Sequence, residues 1–200
     1  MATNNNLILH EDHTDIYLFS EMNEAGEEYG VCPRMADEFI KNLHEAELKE
    51  KDITLHMKTC GGDWKEGMAI YDAIKSSPEY ITAINYSHAR SMSSLIFLAC
   101  DYRMMHKHST FMFHRGEEYF GGTARQMQTN ARESQRDNDI MVDIYARHLL
   151  KANKNSSQKH YTGNDLEWWS EWVVYEMNTK EEVYFNAQEA LDIGFADEII

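Results

Sequence analysis

Ser91 stands in Ala89-Arg90-Ser91-Met92-Ser93-Ser94, directly ahead of the uncharged run Leu95-Ile96-Phe97-Leu98-Ala99-Cys100. The run reads as a buried helix, and Tyr80-Ile81-Thr82-Ala83-Ile84 before it reads as a short buried strand. A serine in the turn between them falls at the first turn of the helix, its hydroxyl exposed beside backbone N–H groups that lack an intrahelical partner. That geometry suits a nucleophile. It also suits a helix N-cap, the commoner use of serine at such a place. Gly61-Gly62 and His114 stand alongside as candidates. Taken alone, the first is a plain turn and the second a histidine at a strand end.

The elements that must position these residues follow from periodicity. Leu7-Ile8-Leu9 and Ile16-Tyr17-Leu18-Phe19 suit short strands, in a segment 1–30 that is otherwise polar and acidic. A helix opens at Pro33, where proline is tolerated in the first turn, with Ala36, Phe39, Ile40, Leu43 and Ala46 on one face. Asp52 to Lys58 alternates as a strand does and runs into the Gly61-Gly62 turn. Trp64 to Ser76 is a second helix, stopped before Pro78. Strand, glycine turn, helix, strand, serine turn, helix is a run of βα units, which implies a largely parallel sheet covered by helices.

Tyr102 to Met105 and Thr110 to Phe113 suit two more strands, the second leading into His114. Gly121-Gly122 precedes a long helix, 123–150, apolar in its second half and polar in its first. The polar half must meet solvent or another subunit. Residues 151–178 read as irregular, with a polar loop from Lys151 to Gln158 and an aromatic insertion, Trp168 to Trp172, suited to packing. Asn186 and Glu189 form a capping box for a last helix, Ala187 to Ile193, which Gly194 ends. No internal repeat or second domain interrupts residues 1–200.

Composition removes several classes. A formal charge of −15 argues against nucleic-acid binding, which needs clustered Lys and Arg. No uncharged run reaches the length of a membrane span, and Met1 to Asn6 lacks the basic start of a signal peptide, so a cytoplasmic protein is expected. Cys32, Cys60 and Cys100 are widely spaced and fit reduced thiols. His10 with His13, and His106 with His108, lack zinc-site spacing, so no metal and no cofactor are expected.

Taken in order, Cys60-Gly61-Gly62, the helix segment Ala69-Ile70-Tyr71-Asp72, Ala89-Arg90-Ser91-Met92, Phe111-Met112-Phe113-His114 and the C-terminal stretch Phe185 to Ile199 resemble the proteolytic subunit of the Clp protease family. The resemblance runs from about Met35 to Ile200. It implies an α/β fold of ClpP/crotonase-like repeated βα (ββα) units with a protruding handle helix, here 123–150, and a longer loop at 151–178. It also implies a serine endopeptidase cutting peptides or unfolded proteins inside stacked homo-oligomeric rings, with an ATPase unfoldase as partner.

Carried over by position, the resemblance makes Ser91 the nucleophile and His114 the general base. Aligning on Asn186-Ala187-Gln188-Glu189 puts Glu182 in the place of the third, carboxylate member, with Glu181 its adjacent competitor. The oxyanion hole falls to the backbone N–H groups of Gly62 and Met92. The peptide would lie extended beside Gly62 to Trp64 and His114 to Gly116. Several residues depart from the family pattern: Cys60 replaces proline, Arg90 a small residue, and Glu182 an Asp. Thr54 and His56 replace aromatics that face the unfoldase, and Arg115-Gly116-Glu117-Glu118 replaces an apolar stretch with proline. These motivate a second reading, a structural or regulatory subunit whose chemistry has decayed. A crotonase-type acyl-CoA enzyme is the third, and it has no need of the Ser91 and His114 pair.

Overall fold

The computed structural model describes residues 6–155 and 165–200. Residues 1–112 with 184–200 form one compact unit and 113–183 another. In the first unit, β1 (Leu7–Leu9) and β2 (Thr14–Phe19) form an antiparallel hairpin. β2 then pairs in parallel with β3 (Ile53–Thr59), and β3 with β4 (Ile81–Arg90). The strand expected to stop at Ile84 therefore continues to Arg90. Its second half is not a turn because it finds a new partner. Thr82 to Asn85 pair with β5 (Tyr102–Met105), whereas His88 to Arg90 pair with β6 (Thr110–His114). β4 is thus a fork, and Ser91 follows the prong paired with β6. Short β8 (Glu198–Ile199) closes the parallel set beside β5.

α1 (Pro33–Glu47) buries Ala36, Phe39, Leu43 and Ala46, as its periodicity requires. α2 (Trp64–Ser76) starts at Asp63, whose carboxylate accepts from Lys65 N–H at 2.9 Å and Glu66 N–H at 3.1 Å. α3 (Met92–Ala99) is buried along its whole length. An aromatic cluster closes this core, with Phe111 stacked on Phe195 at 4.5 Å and Phe185 edge-on to Phe195 at 5.3 Å.

The second unit is dominated by α4 (Ala124–Asn155) and α5 (Leu166–Lys180). α4 keeps its first half largely exposed and buries Met141, Tyr145, Ala146 and Leu149 further on. It outruns the expected end at 150, because Lys151 to Asn155 carry no helix breaker. Residues 156–158 of the expected polar loop lie outside the described residues.

α5 corrects the reading of 151–178 as irregular. Asp165 caps it, accepting from Trp168 N–H at 2.9 Å. Trp169, fully buried, makes edge contacts with Trp168 at 4.8 Å and Trp172 at 5.8 Å. The aromatic insertion is this unit's core. β7 (Glu182–Asn186), where no strand is expected from sequence, alternates, and its inward residues are Val183 and Phe185. α6 (Ala187–Ile193) has the expected capping box and ends at Gly194, φ 99°. Among the described residues, no helix is long and apolar enough to cross a membrane.

Candidate active site

Ser91 takes φ 52°, ψ −128°, between the last residue of β4 and the first of α3. This backbone region is costly for a residue with a Cβ, roughly 1–3 kcal/mol, and persists only where surroundings enforce it. They do. Ser91 N–H donates to Met112 O at 2.9 Å, extending the β4–β6 ladder by one bond. The Ser91 carbonyl accepts from Ser94 N–H at 2.9 Å and Ser94 Oγ at 2.6 Å. The Ser91 side chain makes no capping bond, so the capping reading of the sequence is set aside. A sharp strand-to-helix turn of this kind lifts a hydroxyl out of the sheet.

The other serines of the stretch are otherwise engaged. Ser93 is buried with its Oγ donating to Thr59 Oγ1 at 3.1 Å, and buried Ser94 bonds back to the Ser91 carbonyl.

Gly61 makes the corner possible. A Cβ there would sit 2.6 Å from Ser91 Cβ and 2.8 Å from the Arg90 carbonyl, and Gly61 also holds φ 103°. The sequence showed the glycine pair but gave no sign that its first member, rather than its second, clears the serine. Gly62 packs on Val31 with φ 140°. Val31 N–H donates to Gly61 O at 2.5 Å and Asp63 N–H donates to Val31 O at 2.9 Å. Because peptide groups alternate along an extended segment, the Gly62 N–H faces the edge opposite Val31. Met92 is the first residue of α3, so its N–H has no intrahelical partner. Its side chain fills the space above Gly67, where a Cβ would come within 2.0 Å of Met92 Cγ.

Cys60, in the proline's place, is half-buried. Burial first, then the Glu28 carboxylate, push its thiol pKa up, while Arg90 acts weakly in the other direction. A protonated thiol here is no nucleophile. The Arg90 guanidinium lies 5.4 Å over the Tyr184 ring, with Nη2 3.4 Å from Thr110 Oγ1. It is therefore used in packing the sheet between β4, β6 and β7.

Ser91, Met92, Gly61 and Gly62 belong to the first unit, and His114 and Glu182 to the second. His114 ends β6, two residues beyond the Met112 carbonyl that Ser91 binds, and is half-buried. Glu182 begins β7 and is exposed. Glu181, also exposed, ends α5 with φ 59°, ψ −67°.

A largely parallel βα sheet that carries a strained serine between strand and buried helix, beside a glycine turn, defines an α/β domain of this first unit. The sequence profile described as Clp protease matches residues 28–200. The chain belongs to the Clp protease family, and so stands among the peptidases. It is 30% identical over 174 residues to an ATP-dependent Clp protease proteolytic subunit 2 from Thermobifida fusca, covering 85% of this chain and 74% of that one. To a subunit of the same description from Mycolicibacterium paratuberculosis it is 28% identical, covering 92% and 81%. Among solved structures it resembles a ClpP1 mutant from Listeria monocytogenes with a TM-score of 0.69 at 20% identity, over 93% of this chain and 90% of the other. The shared α/β fold agrees with the one the sequence implied.

Proposed function

We propose that this chain is the proteolytic subunit of a Clp-type serine endopeptidase, hydrolysing peptide bonds of peptides or unfolded proteins. The carrying observation is the strained Ser91, held between the β4–β6 ladder and the clearance at Gly61, in a chain of this family. Ser91 Oγ attacks the scissile carbonyl, and His114 takes its proton and returns it to the leaving amine. Glu182 orients the imidazole and stabilises its charged form. The N–H groups of Gly62 and Met92 receive the oxyanion, and the outward edge at Gly62 takes the substrate as an added strand.

Ring assembly is supported by the family and by the exposed, mostly polar first half of α4, a surface suited to joining subunits or rings. An ATPase unfoldase is the family's partner. Residues 54 and 56, Thr54 and His56 here, lack the aromatics through which it docks. A cytoplasmic setting accords with three cysteines that are all free. The whole chain, 1–200, acts as one peptidase domain.

The test is mass spectrometry after reaction with a fluorophosphonate. One adduct is expected, on Ser91, and none in Ser91→Ala. Labelling of Ser87, Ser93 or Ser94 instead would move the nucleophile. A structural or regulatory subunit is the second reading, favoured by the exposure of Glu182 where the family has Asp. It predicts assembled protein that takes no label. Sedimentation velocity checks the ring: a monomer at micromolar concentration would defeat that architecture.

A further inference from the structure

Far along the chain from Ser91, the hairpin β1–β2 gathers histidines around one carboxylate. The His10 N–H donates to His13 O at 3.0 Å and closes the loop, and the two imidazoles stack 4.2 Å apart. His10 Nε2 lies 3.0 Å from Asp15 Oδ2, and His13 Nε2 lies 3.6 Å from Asp15 Oδ1. One ligand atom from each of the three falls within 4.8 Å of the others. The sequence spacing of the two histidines alone did not suggest a site, because Asp15 joins them only once the hairpin forms.

We propose that His10, His13 and Asp15 bind a divalent transition-metal ion of the zinc class, leaving a fourth position open to water. Three features support this. First, one ligand atom from each of the three side chains lies within 4.8 Å of the others, a small contraction away from the roughly 3.3–3.6 Å at which ligands about 2.0–2.2 Å from a tetrahedral ion stand apart. Second, His13 Nδ1 lies 2.7 Å from Asp12 Oδ1. Donation to Asp12 fixes the tautomer and leaves the Nε2 lone pair facing Asp15, the carboxylate–histidine arrangement that metal ligands use.

Third, His56 on β3 is only 8% exposed and its Nε2 has no aligned hydrogen bond, yet that atom is 3.1 Å from Asp15 Oδ1. Its ring is held by stacking on Tyr17 at 4.5 Å and by the contact of Nδ1 with Tyr86 Oη at 3.0 Å. A third imidazole thus flanks the Asp15 carboxylate from the buried side, where the outer partners of metal-ligating carboxylates stand. The side chains of His10 and His13 are 38% and 39% exposed, so an ion can enter from solvent. No cofactor or peptidase step is required of it.

The experiment titrates the full chain with cobalt(II), then displaces it with zinc. The expected result is one ion per chain and the visible absorption of tetrahedral nitrogen–oxygen cobalt. His10→Ala, His13→Ala and Asp15→Asn should each lose that absorption. Asp12→Asn should weaken binding about 10–100-fold. Cys32→Ser with Cys60→Ser should leave it unchanged. The proposal falls if wild-type chain binds no ion, if His13→Ala binds as wild type does, or if binding disappears with the cysteines. His10 and His13 are on an exposed loop, so their alanine variants fold, and circular dichroism confirms this for each.

Discussion

Two corners of the chain hold a non-glycine residue at positive φ beside the proposed chemistry, Ser91 at 52° and Glu181 at 59°. Their surroundings differ. Ser91 is clamped by the ladder bond to Met112, by two bonds from Ser94 to its carbonyl, and by a buried helix that starts at the next residue. Glu181 is exposed and marks where α5 stops and β7 begins. A positive φ is thus imposed by packing at one corner and by the exit from a helix at the other. Strain enforced from several sides indicates a geometry the molecule keeps for use, whereas strain at an exposed helix end indicates only a sharp exit.

Ser91→Ala carries the largest expected effect. Turnover of a fluorogenic peptide should fall by about 10³-fold or more, with the unfolding midpoint near that of wild type. Activity within tenfold of wild type would show the clamped corner to be structural, and the contrast between the corners would collapse.

Next comes the acid. Glu182→Gln should lower kcat by roughly 10²–10⁴-fold, since a neutral amide neither fixes the imidazole tautomer nor stabilises its charge. Glu181→Gln should stay within about threefold on the same principle. Steady-state kinetics of the pair decides the register. The reverse result would make the strained glutamate the chemical one.

Gly61→Ala separates collision from strain. Its Cβ would meet Ser91 Cβ at 2.6 Å, on top of an unfavourable φ of 103°. A loss of about 2–4 kcal/mol in denaturant unfolding is expected, with slower fluorophosphonate labelling. Gly26→Ala is the control: φ is 80° there and nothing lies within 4 Å of the new Cβ. It should cost only about 1 kcal/mol and leave labelling unchanged. Equal losses would mean that the corner has room to give.

The contrast also explains what could be read from sequence. α1, β5, α6 and the parallel βα order were legible because local periodicity, caps and breakers agree there. The end of β4 was not, because His88, Ala89 and Arg90 are held as strand by pairing with β6, some twenty residues away, and Ala89 also by Thr59 of β3. α5 escaped for a related reason. Trp169, Val173 and Met177 do make one buried stripe, but Val174 and the exposed Tyr175 put apolar surface outside it and blur the period, and aromatic and β-branched residues are modest helix formers. Of the proposed site, Ser91, His114 and Gly62 follow from the motif order and stand as proposals. The clearance at Gly61 and the positive φ of Ser91 are three-dimensional facts that no spacing encodes. The hairpin histidines were invisible as a cluster because Asp15 meets them only once β1 and β2 pair.

The smallest effect is the one most specific to the comparison. Glycine at 181 removes the Cβ that makes φ 59° costly, a relief of roughly 1–3 kcal/mol offset by the greater freedom of glycine in the unfolded chain. Glu181→Gly should therefore stabilise the protein by about 1 kcal/mol, read as a higher denaturant midpoint at unchanged slope. Peptide turnover should stay within about twofold, since Glu182 keeps its place at the start of β7. A stabilised variant that loses tenfold or more in kcat would show that the bend at Glu181 aims Glu182. Both corners would then belong to the machinery, and exposure would be a poor guide to which strained residues matter in this fold.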